Sequence, residues 1–405
     1  MTDADLPSRR AARPENDGGT GPKRRAPVRK RHTVAKVLIT TTLVMALGVA
    51  MSVAYAYRHL TNNILVDDSQ EQLERRPELL AADGPQGPLN ILVMGSDSRD
   101  GEGNNIDGLT NGGARSDTTI LLHISADRKR AYGISIPRDS MINRPECKLR
   151  NGDRLSAVDY VQWNAAFAIG GAGCTMQQFE QITQVRLQHN VVVDFNGFKD
   201  MVDALDGVQV CIPEAIDDPV GNIQIPAGKQ VLRGDAALDY VRVRYVGNGS
   251  DIGRVKRQQA FIASMANKII SADTLARPDR LLKFLNAATK SLRTDKELAS
   301  VTRLAQLGLQ FKETGLNKIQ FFTIPWEEDP ANANRIVWTP EAYEIWRLIA
   351  RDQPIPSRLK EGVIKADNPT GSESDDEPSS SPSSPSPTPR DEAAAQEAAL
   401  NGLCA

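Results

Sequence analysis

The stretch that decides the fold is "LNILVMG", Leu89–Gly95, five of whose seven side chains are apolar. A short continuous apolar run that stops at a glycine, before a long Gly/Asn-rich segment, reads as a strand buried on both faces. Working outward, "TTILLHISA" (118–126) and "RAYGISIP" (130–137) are two further strands joined by the turn "DRKR". "AVDYVQWNAAFAIGG" (157–171) and "TMQQFEQITQ" (175–184) have helical spacing. "HNVVVDF" (189–195) is a β-branched strand, and "NGFKDMVDALDG" (196–207) is a helix stopped by Gly207. "VQVCIP" (208–213) and "DYVRVRY" (239–245) read as strands, followed by a helix that begins near Ser250. Residues 275–312 look helical, and "KIQFFTIPW" (318–326) reads as a late strand added to the sheet. Alternation of this kind predicts an α/β fold, a central mixed β-sheet with helices covering both faces.

The chain has 405 residues and a net charge of −2, so as a whole it is no electrostatic nucleic-acid binder. Its charge is uneven. Residues 1–32 form a basic, Pro/Gly-rich arm expected to be disordered in the cytoplasm. Next comes "VLITTTLVMALGVAMSVAYAY", Val37–Tyr57. About 20 apolar residues cross the ~30 Å hydrocarbon core of a bilayer, so 33–58 is expected to be one transmembrane helix. "KRRAPVRKRH" (23–32) before it places the N-terminus in the cytoplasm and the rest outside, at the cell membrane. Residues 59–88 read as a charged spacer, 89–270 as the main catalytic body, and 271–365 as an extension packed on that body. Residues 366–405, with "SESDDEPSSSPSSPSPTPR", lack the apolar residues for a core and are expected to be a disordered Ser/Pro/acidic tail.

The four cysteines, Cys147, Cys174, Cys211 and Cys404, contain no C-x-x-C pair, which argues against zinc. An oxidising exterior favours disulfides, and Cys147 with Cys174 is the expected pair. Cys211 reads as a small buried hydrophobe, and the sequence leaves open whether it or Cys404 is paired. "GSDSR" is not G-x-S-x-G and no Walker A stretch occurs, so neither a serine nucleophile nor a nucleotide is indicated. His123, inside a strand, reads as a core or edge residue.

Charged residues gather where strands end, which is where ligands bind in open α/β sheets. Asp97 follows the first strand, Arg115 and Asp117 precede the second, and Arg138 and Asp139 follow the third. On the strand reading of 239–245, Arg242 and Arg244 share one face. In "SDIGRVKRQQ" (250–259), Arg254, Arg257 and Gln258 fall on one helix face. Singly, each is an ordinary turn, cap or solvated residue. Jointly they ask for an anion: arginine forks match phosphate oxygens, and two carboxylates suit Mg²⁺, which keeps water and phosphate for its remaining positions. A diphosphate with a divalent ion opposite the arginines satisfies both.

Six ordered blocks then carry a resemblance: "NILVMGSDSR", "RSDTTILLHIS", "GISIPRDS", "VVVDFNGFKDMVDALDGVQV", "ALDYVRVRY" and "SDIGRVKRQQ". Over about 89–270 the chain resembles the LytR–CpsA–Psr (LCP) family, in an actinobacterial style. The resemblance implies a cell-wall phosphotransferase that moves a glycopolymer from a polyprenyl-pyrophosphate carrier onto peptidoglycan, forming a phosphodiester. It implies Mg²⁺ (or Mn²⁺) at Asp97 and Asp117, and catalytic roles for Asp97, Arg115, Asp117 and Arg138. Arg115, Arg138, Arg242, Arg244, Arg254, Arg257 and Gln258 would face the pyrophosphate, while Asp139 would buttress Arg138. The partners implied are the lipid-linked glycan, peptidoglycan and the lipid membrane, with no nucleic acid. Two rivals are a polyprenyl-pyrophosphate pyrophosphatase using the same site and a non-enzymatic envelope regulator or scaffold.

Overall fold

The structure, a computed structural model, describes residues 33–79, 87–96, 116–243, 251–271, 274, 276–369 and 404. It divides into two units, 1–54 and 55–405. The first helix, α1 (Thr33–Asn63), is long and apolar enough to cross a membrane. The expected arm 1–32 lies outside the described residues, as does most of the expected tail.

The body is built on one eight-stranded mixed sheet. Its strands, in chain order, are β1 (Leu65–Val66), β2 (Leu89–Ser96), β3 (Ser116–Ile124), β4 (Ala131–Ile136), β5 (His189–Asp194), β6 (Leu292–Thr294), β7 (Ile319–Thr323) and β8 (Ile364–Lys365). Their spatial order is β1-β6-β5-β2-β3-β4-β7-β8. β5 lies parallel to β2 and β7 parallel to β4, while β3 is antiparallel to both its neighbours. The carboxyl ends of β2, β4, β5 and β7 and the amino end of β3 therefore share one edge. Among the described residues, seven α-helices of eight or more residues follow α1: α2 (Ala165–Thr183), α3 (Phe195–Ala204), α4 (Gly234–Arg242), α5 (Asp251–Ile270), α6 (Pro278–Ser291), α7 (Val301–Thr314) and α8 (Pro340–Ala350).

β2 shows why the apolar run was decisive. Leu92 and Met94 enter the cluster that holds Phe179 of α2 and Trp346 of α8, whereas Ile91 and Val93 face Leu298 and Leu304 on the other side. α5 covers the second face at β4 and β7, with Ala260 and Ala263 against Ala131, Ile319 and Phe321. Burying an aliphatic side chain in this way contributes about 1.5–3 kcal/mol, and the unbroken apolar run Ile91–Met94 is what a doubly covered strand needs.

Several sequence expectations are corrected. Residues 239–242 are the end of helix α4, not a strand. The run Ala236-Ala237-Leu238 ahead of the V-R-V-R alternation sets helical spacing, and Ala237, Leu238 and Tyr240 are buried by it. Residues 158–162 form a strand that pairs with Met141–Arg144, and the helix starts only at Ala165. The spacer is part of the body: Leu60 and Ile64 are buried, β1 joins the sheet edge, and Arg76 pairs with buried Glu180 at 2.6 Å. The extension 271–365 supplies β6, β7 and β8, and the core continues into the expected tail, since Ala366 is buried and its N–H donates to Ile319 O. Cys147 and Cys174 form a disulfide. Cys211, read as a small hydrophobe, is buried but bonded to Cys404.

Candidate functional site

In the β3–β4 ladder Thr119 lies opposite Ile136. Continuing that register two residues sets Asp117 against Arg138, just beyond the ladder, where Pro137 removes a backbone donor. The side chains meet: Arg138 Nη1 donates to Asp117 Oδ1 at 2.7 Å. Both are partly exposed, at 17% and 25%, so the pair is reachable from solvent. Arg138 Nε also donates to Asp139 Oδ2 at 3.4 Å. Asp139 in turn accepts from Gln162 Nε2 at 2.5 Å and from Arg335 Nη1 at 3.2 Å. The sequence reading named Asp139 as a buttress but missed Gln162 and Arg335. They come from two hairpins, 141–162 and 326–338, that lie far apart in the chain, and no local spacing announces them.

Two further arginines reach the same edge of the sheet. Arg242, the last residue of α4, stacks its guanidinium 4.7 Å from the ring centre of Phe195. Phe195 opens α3 directly after the carboxyl end of β5, where Asp194 caps the helix by accepting from Gly197 N–H at 2.7 Å. α5 runs antiparallel to β4 and β7. Its Gln259 donates to Ser135 Oγ and Thr323 Oγ1 near their carboxyl ends, whereas its Asn267 donates to Ala366 O beside the start of β7. The first turns of α5, with buried Arg254, therefore lie at the Arg138 end.

Arg257 and Gln258, which the resemblance implied would face the pyrophosphate, each hold a carbonyl near the end of α4. Arg257 Nη2 donates to Val243 O at 2.5 Å and Gln258 Nε2 to Val241 O at 3.0 Å. They satisfy carbonyls at the C-terminal end of α4, which no intrahelical donor can reach. Burial lowers the Arg257 pKa and raises that of neighbouring Tyr240 to about 12. Asp97, Arg115 and Arg244 lie outside the described residues. Among the described residues no group of three or more His, Cys, Asp or Glu gathers as a metal cage.

Beside Ser96 and Asp194, at the same edge, opens a cleft of about 500 Å³ between the sheet and α2. Leu65, Phe167, Ile169 and Val192 give it apolar walls, and Arg150 and Arg293 also line it. α2 is broken at Gly171, which has φ +63° and ψ −153°. Only glycine takes that conformation without strain, and the break shapes the cleft wall.

The LytR_cpsA_psr family profile matches residues 54–351, a wider span than the six blocks. The chain is 35% identical over 228 residues to the probable cell wall biosynthesis protein LcpB of Corynebacterium glutamicum, covering 55% of this chain and 52% of that protein. It is 27% identical over 284 residues to the Bacillus subtilis polyisoprenyl-teichoic acid–peptidoglycan teichoic acid transferase TagV, covering 67% of each. The match spans about half the length of the corynebacterial relatives LcpB and LcpA. Among solved structures, B. subtilis TagV aligns with a TM-score of 0.52 at 25% identity, covering 66% of this chain and 98% of that one. The LytR-Csp2A-Psr enzyme from Actinomyces oris has the same fold, with a TM-score of 0.52 at 18% identity and coverage of 71% and 97%. With a fold, a strand-end site and a family profile that agree over most of its length, this chain belongs to the LytR_cpsA_psr family.

Proposed function

We propose that the chain is a membrane-anchored phosphotransferase that moves a glycopolymer from a polyprenyl-diphosphate carrier to peptidoglycan and leaves a phosphodiester link. The observation that carries this reading is the partly exposed Arg138–Asp117 pair, held at the sheet edge where Arg242 and Arg254 also arrive from α4 and α5. The names of its relatives support the substrate class, and α1 supports the anchor. The cleft beside Ser96 opens next to the same edge, and its Leu65, Phe167, Ile169 and Val192 wall offers apolar surface to a prenyl chain.

Asp117 offers the hard carboxylate oxygen that Mg²⁺ or Mn²⁺ prefers, and such ions need only one or two carboxylates when phosphate and water supply the rest. The donor chemistry therefore fits, with Asp97 the second acid of this reading. Bound there, the ion would neutralise charge on the diphosphate. The chain's own residues do the rest. Asp139 fixes the Arg138 guanidinium at Nε, so a phosphate arriving at the site meets a fork already oriented. Arg138, Arg242 and Arg254 offset the negative charge that builds on the leaving group. The acceptor hydroxyl oxygen bonds to the sugar-linked phosphorus, the bond from that phosphorus to the bridging oxygen breaks, and polyprenyl phosphate leaves. The hydroxyl proton passes to a carboxylate, for which Asp97 is our assignment.

The test incubates the full-length chain in detergent with a polyprenyl-diphosphate oligosaccharide, peptidoglycan and Mg²⁺. Covalent transfer is expected, slowed at least about 100-fold in Arg138→Ala, the cost of removing a preorganised charge donor. No transfer by the wild type, or equal transfer by the variant, defeats the reading. Sugar-phosphate release that needs no peptidoglycan would point to the hydrolase instead.

A further inference from the structure

Tyr160 is the least comfortable residue near the site. It lies in the strand Val158–Gln162, where the pairing with Met141–Arg144 slips: Ile142 faces Val161, but Arg144 faces Val158. That is a β-bulge, a device that re-aims a side chain. Tyr160 sits in it with φ +55°, a left-handed backbone that costs a non-glycine residue about 1–2 kcal/mol. Two hydrogen bonds hold it there. Its N–H donates to Asn143 Oδ1 at 3.2 Å, and its hydroxyl donates to Asp329 Oδ2 on the facing hairpin. Tyr160 is nevertheless 51% exposed. Burial therefore does not repay the strain.

The position is telling. Gln162, which holds Asp139, is two residues away, about 7 Å along a strand. Asp329 belongs to the hairpin that brings Arg335 to the same carboxylate. Both hairpins that grip the Arg138 buttress thus also present the Tyr160 ring. The cleft opens beside β2 and β5, on the other side of β3 and β4 in the sheet order. An incoming hydroxyl needs a seat on the side of Arg138 away from that cleft, and a rigid, half-exposed aromatic ring offers the flat apolar surface that packs on the C–H face of a pyranose.

We propose that Tyr160 is an acceptor-positioning residue whose ring packs on a sugar of the glycan strand and so presents its hydroxyl toward Arg138. This rests on the transferase reading above. It differs from a role as a plain latch between hairpins, which would need only the hydroxyl.

The experiment measures transfer by the full-length chain as a function of glycan-strand concentration, with wild-type transfer as the control for the underlying reading. If the wild type transfers nothing, the transferase reading fails. Given wild-type transfer, Tyr160→Gly keeps the backbone geometry and removes the ring; the acceptor KM is expected to rise about tenfold, equivalent to about 1.4 kcal/mol, while the donor KM holds. Tyr160→Phe, which lacks the hydroxyl but keeps the ring, is expected to recover most of the loss. An unchanged acceptor KM in Tyr160→Gly, or a Phe variant as impaired as the Gly variant, overturns the proposal and leaves the transferase reading standing.

Discussion

Arg138 shows how the fold holds one guanidinium in a fixed orientation. Two carboxylates share its guanidinium, and one of them, Asp139, is locked by Gln162 and Arg335. A lysine would keep the charge but lose the planar fork and the Nε anchor. Arg138→Lys is therefore expected to lose about tenfold or more in kcat, read in the transfer assay. Arg335→Ala removes one of the two donors that hold Asp139 besides Arg138, while touching no proposed substrate atom. It should cost a smaller factor in kcat, with a melting temperature close to that of wild type, because Arg335 is a partly exposed pair member worth at most about 1 kcal/mol. A kcat for Arg335→Ala equal to that of wild type would show that Asp139 needs no second donor. Arg138 and Asp117 were legible because they stand next to apolar runs whose strand character is plain. Gln162 and Arg335 were not, because only tertiary folding brings them within reach of Asp139.

At the scale of elements, local signals succeeded where they agreed with burial. Gly207 stops α3 with φ +92°, its N–H reaching Val202 O at 3.0 Å, as a helix-ending glycine should. The V-R-V-R alternation failed because four residues of strand-like pattern followed a helical run whose apolar positions were already committed to the core. Because 239–242 is helical, α4 ends there with open carbonyls, and Arg257 and Gln258 donate to two of them. A different junction carries a pH prediction. Asp295, just past the short strand β6, accepts from His189 and from the N–H groups of Asn190, Glu297 and Leu298. Burial alone would raise its pKa; the His189 hydrogen bond and charge, with the backbone donors, outweigh it and hold the carboxyl below its ordinary 3.8. A carboxyl whose folded pKa is depressed stabilises the fold above the unfolded value and loses that contribution as pH falls through the folded one. Melting temperature should therefore drop as pH falls from about 4 downward, and Asp295→Asn should be less stable at neutral pH with a flatter acid limb. Parallel acid limbs for the two proteins would assign the acid sensitivity elsewhere.

Across the whole molecule, the two disulfides and the first helix make a joint statement about sidedness. The apolar run was legible by composition alone, and so was the pairing of Cys147 with Cys174, since both cysteines flank one segment. Cys211 with Cys404 was not, because 193 residues separate them and nothing local links a strand to the far end of the chain. Disulfides persist in oxidising compartments, whereas the basic stretch before α1 favours the cytoplasmic side. Both arguments agree with the proposed orientation, in which residues beyond α1 lie outside the cell. The Cys147–Cys174 bridge closes a segment of sequence separation 27, and such a loop stabilises by about 3 kcal/mol in the chain-entropy account. Cys147→Ser/Cys174→Ser is expected to lower the melting temperature by several degrees, and the same variant should be indifferent to reductant at this bridge. In intact cells stripped of wall, an added protease should degrade the body and leave a fragment holding residues 1–32 and α1 protected. A body that survives while residues 1–32 are cut would reverse the orientation. It would also strand the proposed chemistry on the side of the membrane that holds no peptidoglycan.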